Sequence, residues 1–227
     1  HLSSGKVLLV SDLLIAAGRV PNIEQLDLEQ AGVKYNEFGV TVDRNLRTTN
    51  KLVYAIGDIV EGSRFTHTAS YHAGIVLKKI LLGLPSKLRT DHIPQVTYTD
   101  PEIASVGMNF EDAVRRFGKK VERSFVTFKT NDRAITDSKT EGFIEILLLG
   151  RKVIGCSITS KNAGELISFW ALVIAKNIKI SSINAMIPPY PTLGEINKRV
   201  VSEYYAPKFF GNKILKYYVG IIQRFSK

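Results

Sequence analysis

Three strand candidates in series, residues 121–128, 143–149 and 153–159, followed at once by a helical run over 163–176, constrain this chain most. Gly150-Arg151 joins the last two runs through a turn tight enough for a hairpin, so these strands are expected to be antiparallel neighbours. Upstream, residues 96–98 and 103–106 read as further strands flanking Asp100-Pro101. Asn109 predicts an N-cap for a helix over 110–117, with Asp112 three residues on to complete the cap. Downstream, 182–187 reads as a shorter helix. After Pro188-Pro189-Tyr190-Pro191, Thr192 predicts the cap of a helix running to about residue 205. Strands and helices in this order give an antiparallel sheet with helices gathered on one side, an α+β domain.

The first ninety or so residues are organised differently. Residues 6–10 and 12–17 read as two short buried strands ending at Gly18. Pro21-Asn22 marks a turn, 23–31 has helical spacing, and 39–43 alternates like a strand. Residues 53–56 form an apolar strand that stops at Gly57-Asp58. A helix is expected over 66–84, ending at Gly83 and Pro85, with a polar link over 86–92. This is an incomplete α/β segment, because too few βα units are present to close a doubly wound sheet. The chain also reaches its first strand-like run almost at once, which reads as the middle of a larger protein.

Composition removes several function classes. Hydrophobic residues make up 44% of the 227, and the longest apolar runs fall far short of a span; crossing a bilayer takes about 20 residues. Cys156 stands alone, so no internal disulfide or Cys-x-x-Cys forms, and a reducing, cytoplasmic setting is expected. Inside an apolar run, Cys156 reads as a small buried hydrophobe and not as a nucleophile. His72, within the helix, and His92, in the link, read as structural or solvated, and no metal site is expected. The net charge of +10 thickens towards the end, where Lys208, Lys213, Lys216, Arg224 and Lys227 occur without an acid. No groove-reading or RNA-binding motif accompanies that charge, so nucleic acid is not expected as a partner. In the same tail Asn212 can cap a helix, with Ile214, Leu215, Tyr218, Ile221, Ile222 and Phe225 at three- and four-residue spacing. Such a basic stripe fits either an anionic membrane surface, making the protein membrane-peripheral, or packing on the preceding domain.

Chemistry concentrates at a few places. In Ala55-Ile56-Gly57-Asp58, glycine allows close approach to the backbone, and a carboxylate just past a strand end can accept ligand hydroxyls. The same four residues also make an ordinary turn with an Asx cap, and the tetrapeptide does not decide. Its context is Ala16-Ala17-Gly18-Arg19-Val20-Pro21-Asn22 upstream, then Phe65-Thr66-His67 and Thr97-Tyr98-Thr99-Asp100-Pro101-Glu102. Tyr190-Pro191-Thr192-Leu193-Gly194-Glu195 completes the series. As a set, over roughly residues 6–205, these motifs resemble the class I pyridine nucleotide–disulfide oxidoreductases, of the dihydrolipoamide dehydrogenase and mercuric reductase type.

The resemblance implies FAD as cofactor, NAD(P)H as reductant of the complete enzyme, and a homodimer. It implies that 1–20 ends the NAD(P)-binding domain, 21–91 is the C-terminal part of the FAD domain, 92–205 is the dimerisation domain, and 206–227 is the basic tail. Gly57 and Asp58 would meet the ribityl chain, and Thr66 and His67 would face the flavin pyrimidine edge. Tyr190 and Glu195 would reach across to the partner subunit's catalytic site. Thiol-reducing members have histidine where Tyr190 stands, paired with the glutamate five residues on. A phenol, with a pKa near 10, is a poor proton shuttle at neutral pH, so lipoamide reduction is not expected. Neither a Gly-x-Gly-x-x-Gly cradle nor a cysteine pair is present. The missing N-terminal half is therefore expected as a partner, and the isolated chain is expected to be inactive. The rival expectation is a non-catalytic dimerisation module left from a truncated or split flavoprotein.

Overall fold

The computed structural model describes residues 1–212, 214, 217 and 221, and divides into two compact units, residues 1–88 and 89–227.

The second unit is built on five antiparallel strands: β3 (Gln95–Thr97), β4 (Glu102–Gly107), β5 (Val121–Thr127), β6 (Phe143–Leu149) and β7 (Lys152–Ser160). Their order across the sheet is β3-β4-β7-β6-β5. One face alternates buried apolar residues: Ala104 and Val106 on β4, Ile144, Ile146 and Leu148 on β6, and Cys156 and Ile158 on β7. Between β6 and β7 the pairing passes from Leu147–Gly155 to Leu148–Val153, leaving Ile154 as a bulge. That extra residue resets the period of two, so Val153 and Cys156, three apart, both reach the core. Gly155 is required here, because a Cβ would meet the Met108 carbonyl oxygen at 2.0 Å.

Helices α4 (Ala163–Ala175), α5 (Ile180–Ile183) and α6 (Glu195–Phe210) close that face. Trp170 of α4 is wholly buried, and its indole N–H donates to Asn197 Oδ1 on α6 at 2.8 Å, tying the two helices together. Ser124 Oγ of β5 donates to the Val200 carbonyl at 2.8 Å, fixing α6 to the sheet edge. The two short helices on the connections are α2 (Phe110–Phe117) and α3 (Asp132–Thr136). Asn109 caps α2 as the sequence predicts, accepting the Asp112 N–H at 2.8 Å. Phe110 reaches the opposite face of the sheet under the Arg123 guanidinium. The α+β class with its principal helices on one side is the architecture found. Three boundaries differ from expectation. The short helix expected at 182–187 lies at Ile180–Ile183, and α6 starts at Glu195 with Gly194, not Thr192, at its N-cap. α6 also continues through Pro207 to Phe210, where the Pro ring removes one helical donor without ending the helix.

The first unit is smaller. A hairpin of β1 (Tyr35–Asn36) and β2 (Gly39–Val40) packs Val40 with Val33, Ala55 and Val60. Helix α1 (Thr66–Leu82) follows a single 3₁₀ turn at Gly57–Ile59 and ends at Gly83 in the left-handed conformation. Four expectations fail here. Residues 6–10 and 12–17 are neither strands nor buried: they pair with no other strand among the described residues, leaving Leu9 96% and Leu14 88% exposed. Residues 23–31 form successive turns, because Asp27 takes φ 44°, which interrupts any helix. The strand at 39–43 shortens to Gly39–Val40, and 53–56 makes only the isolated Arg47–Tyr54 bridge. Residues 6–17 have the composition of strands but form no ladder with another described segment.

The amphipathic stripe of the tail lies mostly outside the described residues. Among the described residues, no helix is long and apolar enough to cross a membrane.

Candidate functional site

In the first unit, Gly57 and Asp58 open the 3₁₀ turn just before α1. Gly57 needs φ 72°, and its Cα lies so close to α1 that a Cβ would meet Ala69 Cβ at 3.2 Å. His72 fixes this approach by accepting the Gly57 N–H on Nδ1 at 3.2 Å. Burial pushes the His72 pKa down, so the ring is neutral and its acceptor nitrogen is available. Of the structural and solvated readings, His72 is therefore structural. Asp58 is half-exposed and pairs with Arg19 at 3.1 Å. Arg19 also donates to the Arg64 carbonyl, and Arg64 returns bonds to the carbonyls of Arg19 and Phe38.

Thr66 and His67 begin α1, and the Phe65 N-cap carries no side-chain acceptor. The Phe65 carbonyl takes the N–H groups of Thr68 and Ala69, and the Phe65 ring stacks on His67 at 5.2 Å. Phe65 thus contributes no capping carboxylate or hydroxyl to the positive end of α1. Thr68, one residue further on, is buried with its Oγ1 unpartnered. Sequence reasoning missed Thr68. Its only signal was a second hydroxyl residue within the first turn of the helix.

In the second unit, Tyr190 and Glu195 belong to one short segment but do not bond to each other. Tyr190 Oη donates to Asp132 Oδ2 on α3 at 3.2 Å. Glu195 instead accepts the Thr192 N–H at 3.2 Å, while Thr192 Oγ1 donates to the Pro189 carbonyl at 2.7 Å. The Tyr190 pKa is raised, first by its hydrogen bond to Asp132 and then by that residue's charge, with burial and Glu195 adding less. Tyr190 is 71% exposed and stands beside a cleft of about 290 Å³ lined by Asn131, Asp132, Glu195, Lys198, Arg199 and Ser202, among others. Asp132 and Asn131 were not read as site residues from the sequence, since nothing local marks a partner this distant.

Elsewhere the candidates reduce to structure. Asp100 pairs with Lys139, and Glu102 accepts the Gly164 N–H at the start of α4. Burial raises the Cys156 thiol pKa well above its ordinary value. Among the described residues, no group of three His, Cys, Asp or Glu side chains is placed to hold a metal.

Residues 93–201 match the pyridine nucleotide-disulphide oxidoreductase dimerisation domain, and residues 1–73 match the pyridine nucleotide-disulphide oxidoreductase family. The chain is 34% identical to a mercuric reductase of Staphylococcus aureus over 193 residues, 84% of this chain and 35% of that protein. It is 37% identical to a dihydrolipoyl dehydrogenase of Geobacillus stearothermophilus over 187 residues, 81% of this chain and 39% of that protein. Among solved structures it superposes on LpdA of Mycobacterium tuberculosis with a TM-score of 0.75 at 26% identity, covering 82% of this chain and 41% of that one. A HOCl-induced flavoprotein disulfide reductase, RclA of Escherichia coli, gives 0.74 at 25% identity, covering 82% and 43%. The chain therefore spans less than half the length of these relatives. The family uses FAD and NAD(P)H. With two of the family's regions in order along one sequence, this chain belongs to the pyridine nucleotide-disulphide oxidoreductases.

Proposed function

We propose that this chain is the C-terminal portion of a FAD-dependent NAD(P)H oxidoreductase. Its first unit would supply part of the flavin site, through Gly57, Asp58, Thr66 and His67. Its second unit would pair with a second copy and bring Tyr190 and Glu195 to that copy's acceptor site. On this reading, residues 1–20 close a nucleotide-binding domain and 21–91 belong to the FAD domain.

The observation that carries the proposal is the start of α1, whose Phe65 N-cap supplies no side-chain acceptor, after the Gly57-Asp58 turn and within a region matched to the family. The residues present suit a flavin. The α1 N-terminus offers positive potential to an electron-rich ring edge, and Thr68 Oγ1 is a buried polar atom lacking a partner. Asp58 keeps enough exposure beside Arg19 to accept hydroxyl hydrogen bonds. When bound, FAD would carry hydride equivalents between nicotinamide and the acceptor. The protein residues would orient it and stabilise charge at its edge.

Asp58 and the start of α1 make only part of such a site, so the purified chain is expected to be colourless and unable to oxidise NAD(P)H. Co-expression with a segment carrying the Gly-x-Gly-x-x-Gly cradle and a cysteine pair should yield a yellow complex. Stoichiometric FAD in the isolated chain would contradict this division of the site. A stable dimer that never acquires flavin with any such segment would favour a dimerisation module.

A further inference from the structure

The family resemblance pairs the residue before Pro191-Thr192 with the glutamate at 195, yet the geometry joins it to a different carboxylate. Tyr190 Oη donates to Asp132, 58 residues away in sequence, while Glu195 is engaged by the Thr192 N–H. We propose that Asp132, and not Glu195, is the carboxylate that positions the Tyr190 hydroxyl in the acceptor site. This rests on the reading above that Tyr190 faces an acceptor.

Asp132 is held for this purpose from two directions. Asn131 beside it is buried, and its Oδ1 accepts the Ala134 N–H at 3.0 Å, capping α3. Its Nδ2 donates to the Thr192 carbonyl at 3.1 Å. One amide therefore fixes both the start of α3 and the segment that carries Tyr190. Arg199 on α6 adds a further tie by donating to the Thr130 carbonyl. An exposed tyrosine–carboxylate contact is ordinarily weak because two mobile side chains must be ordered. Here both backbones are already anchored, so less freedom is lost on forming it.

The other charged groups near the hydroxyl are accounted for. Glu195, Lys198 and Arg199 of α6 line the same cleft, and Arg133 of α3 turns away to pair with Asp137 at 2.9 Å. Asp132 also keeps the phenol protonated, because a neighbouring negative charge opposes phenolate. With its O–H engaged in the hydrogen bond to Asp132, the hydroxyl oxygen has lone pairs left for a ligand. The chemical class it suits is a hydrogen-bond donor or an electrophile, and not a group that must receive a proton from tyrosine.

The test is ultraviolet phenolate titration of the full chain, in which the component lost in Tyr190→Phe reports Tyr190 alone. That component should titrate above the ordinary tyrosine pKa near 10. It should move to lower pH in Asp132→Asn, return in Asp132→Glu, and move much less in Glu195→Gln, with far-UV circular dichroism unchanged throughout. An unmoved titration in folded Asp132→Asn, or a larger shift in Glu195→Gln, would overturn the assignment. The outcomes separate from those of the functional reading. A protein that never pairs or takes up flavin fails that reading while this titration still reports Asp132. An unshifted Asp132→Asn titration in a flavin-loaded dimer fails the positioning role alone.

Discussion

The two units differ in what they bury. Among the described residues, the second encloses Trp170, Phe128 and a row of Ile and Leu from two strands and three helices. The first gathers only Val33, Val40, Ala55 and Val60 into its core cluster and leaves Leu9, Leu13, Leu14 and Ile15 in water. Even α1 exposes Leu77, Ile80, Leu81 and Leu82 along its last turns. A chain of similar apolar content throughout has thus formed one closed sheet–helix layer and one loosely closed segment. Hydrophobic runs specify a fold only where the same chain supplies the surface that covers them.

Stability should follow that contrast, and the largest expected effect lies in the second unit. Trp170→Ala removes the largest fully buried side chain and orphans Asn197 Oδ1. A loss of about 3–5 kcal/mol is expected in denaturant unfolding followed by circular dichroism. Amide exchange in residues 1–88 should stay as in the parent; equal loss of protection there would erase the distinction between the units.

Asn131→Ala comes next. It leaves the Ala134 N–H and the Thr192 carbonyl without their partner, at a cost of roughly 1–3 kcal/mol. The effect should be confined to the second unit in the same measurement, and no measurable change would mean that water replaces the amide.

Acidification should separate the units in the other direction. His72 has its folded pKa lowered by burial, so the unfolded state binds the extra proton. Stability from neutral His72 is present above the ordinary histidine pKa, about 6.5, and declines as pH falls from there towards the folded value. The first unit should therefore lose exchange protection on going from pH 7 to pH 5, and His72→Gln should flatten that dependence. The second unit's lowered carboxylates, Asp91, Glu122 and Asp137, act only at lower pH. Protection in the first unit that is level across this range would remove His72 as the cause.

Much of the second unit was legible because its signals are local. The Gly150-Arg151 hairpin and the Asn109 cap of α2 each depend on residues within a few positions. The first unit was misread where local composition met missing neighbours: residues 6–17 are strand-like in sequence, but a strand exists only as half of a ladder. Asp27 at positive φ has no sequence mark that would stop a helix through 23–31. At the candidate sites, motif order brought out Asp58, Thr66, His67, Tyr190 and Glu195. The partners that tune them were illegible. Arg19 reaches Asp58 across 39 residues, and Asp132 reaches Tyr190 across 58. The buried, unpartnered Thr68 hydroxyl likewise emerges only once the first turn of α1 is packed.

The central claim is that the second unit is both a self-sufficient fold and the pairing surface of the protein. Its exposed apolar residues include Ile103, Phe125 and Leu172, and a stable pairing of this kind would bury on the order of 2,000 Å² or more. Light scattering on the purified chain at tens of micromolar measures this most directly. The account predicts a mass twice the 25.3 kDa of the chain, retained when the first unit is removed. A monomer at that concentration, or a dimer lost with residues 1–88, would contradict it.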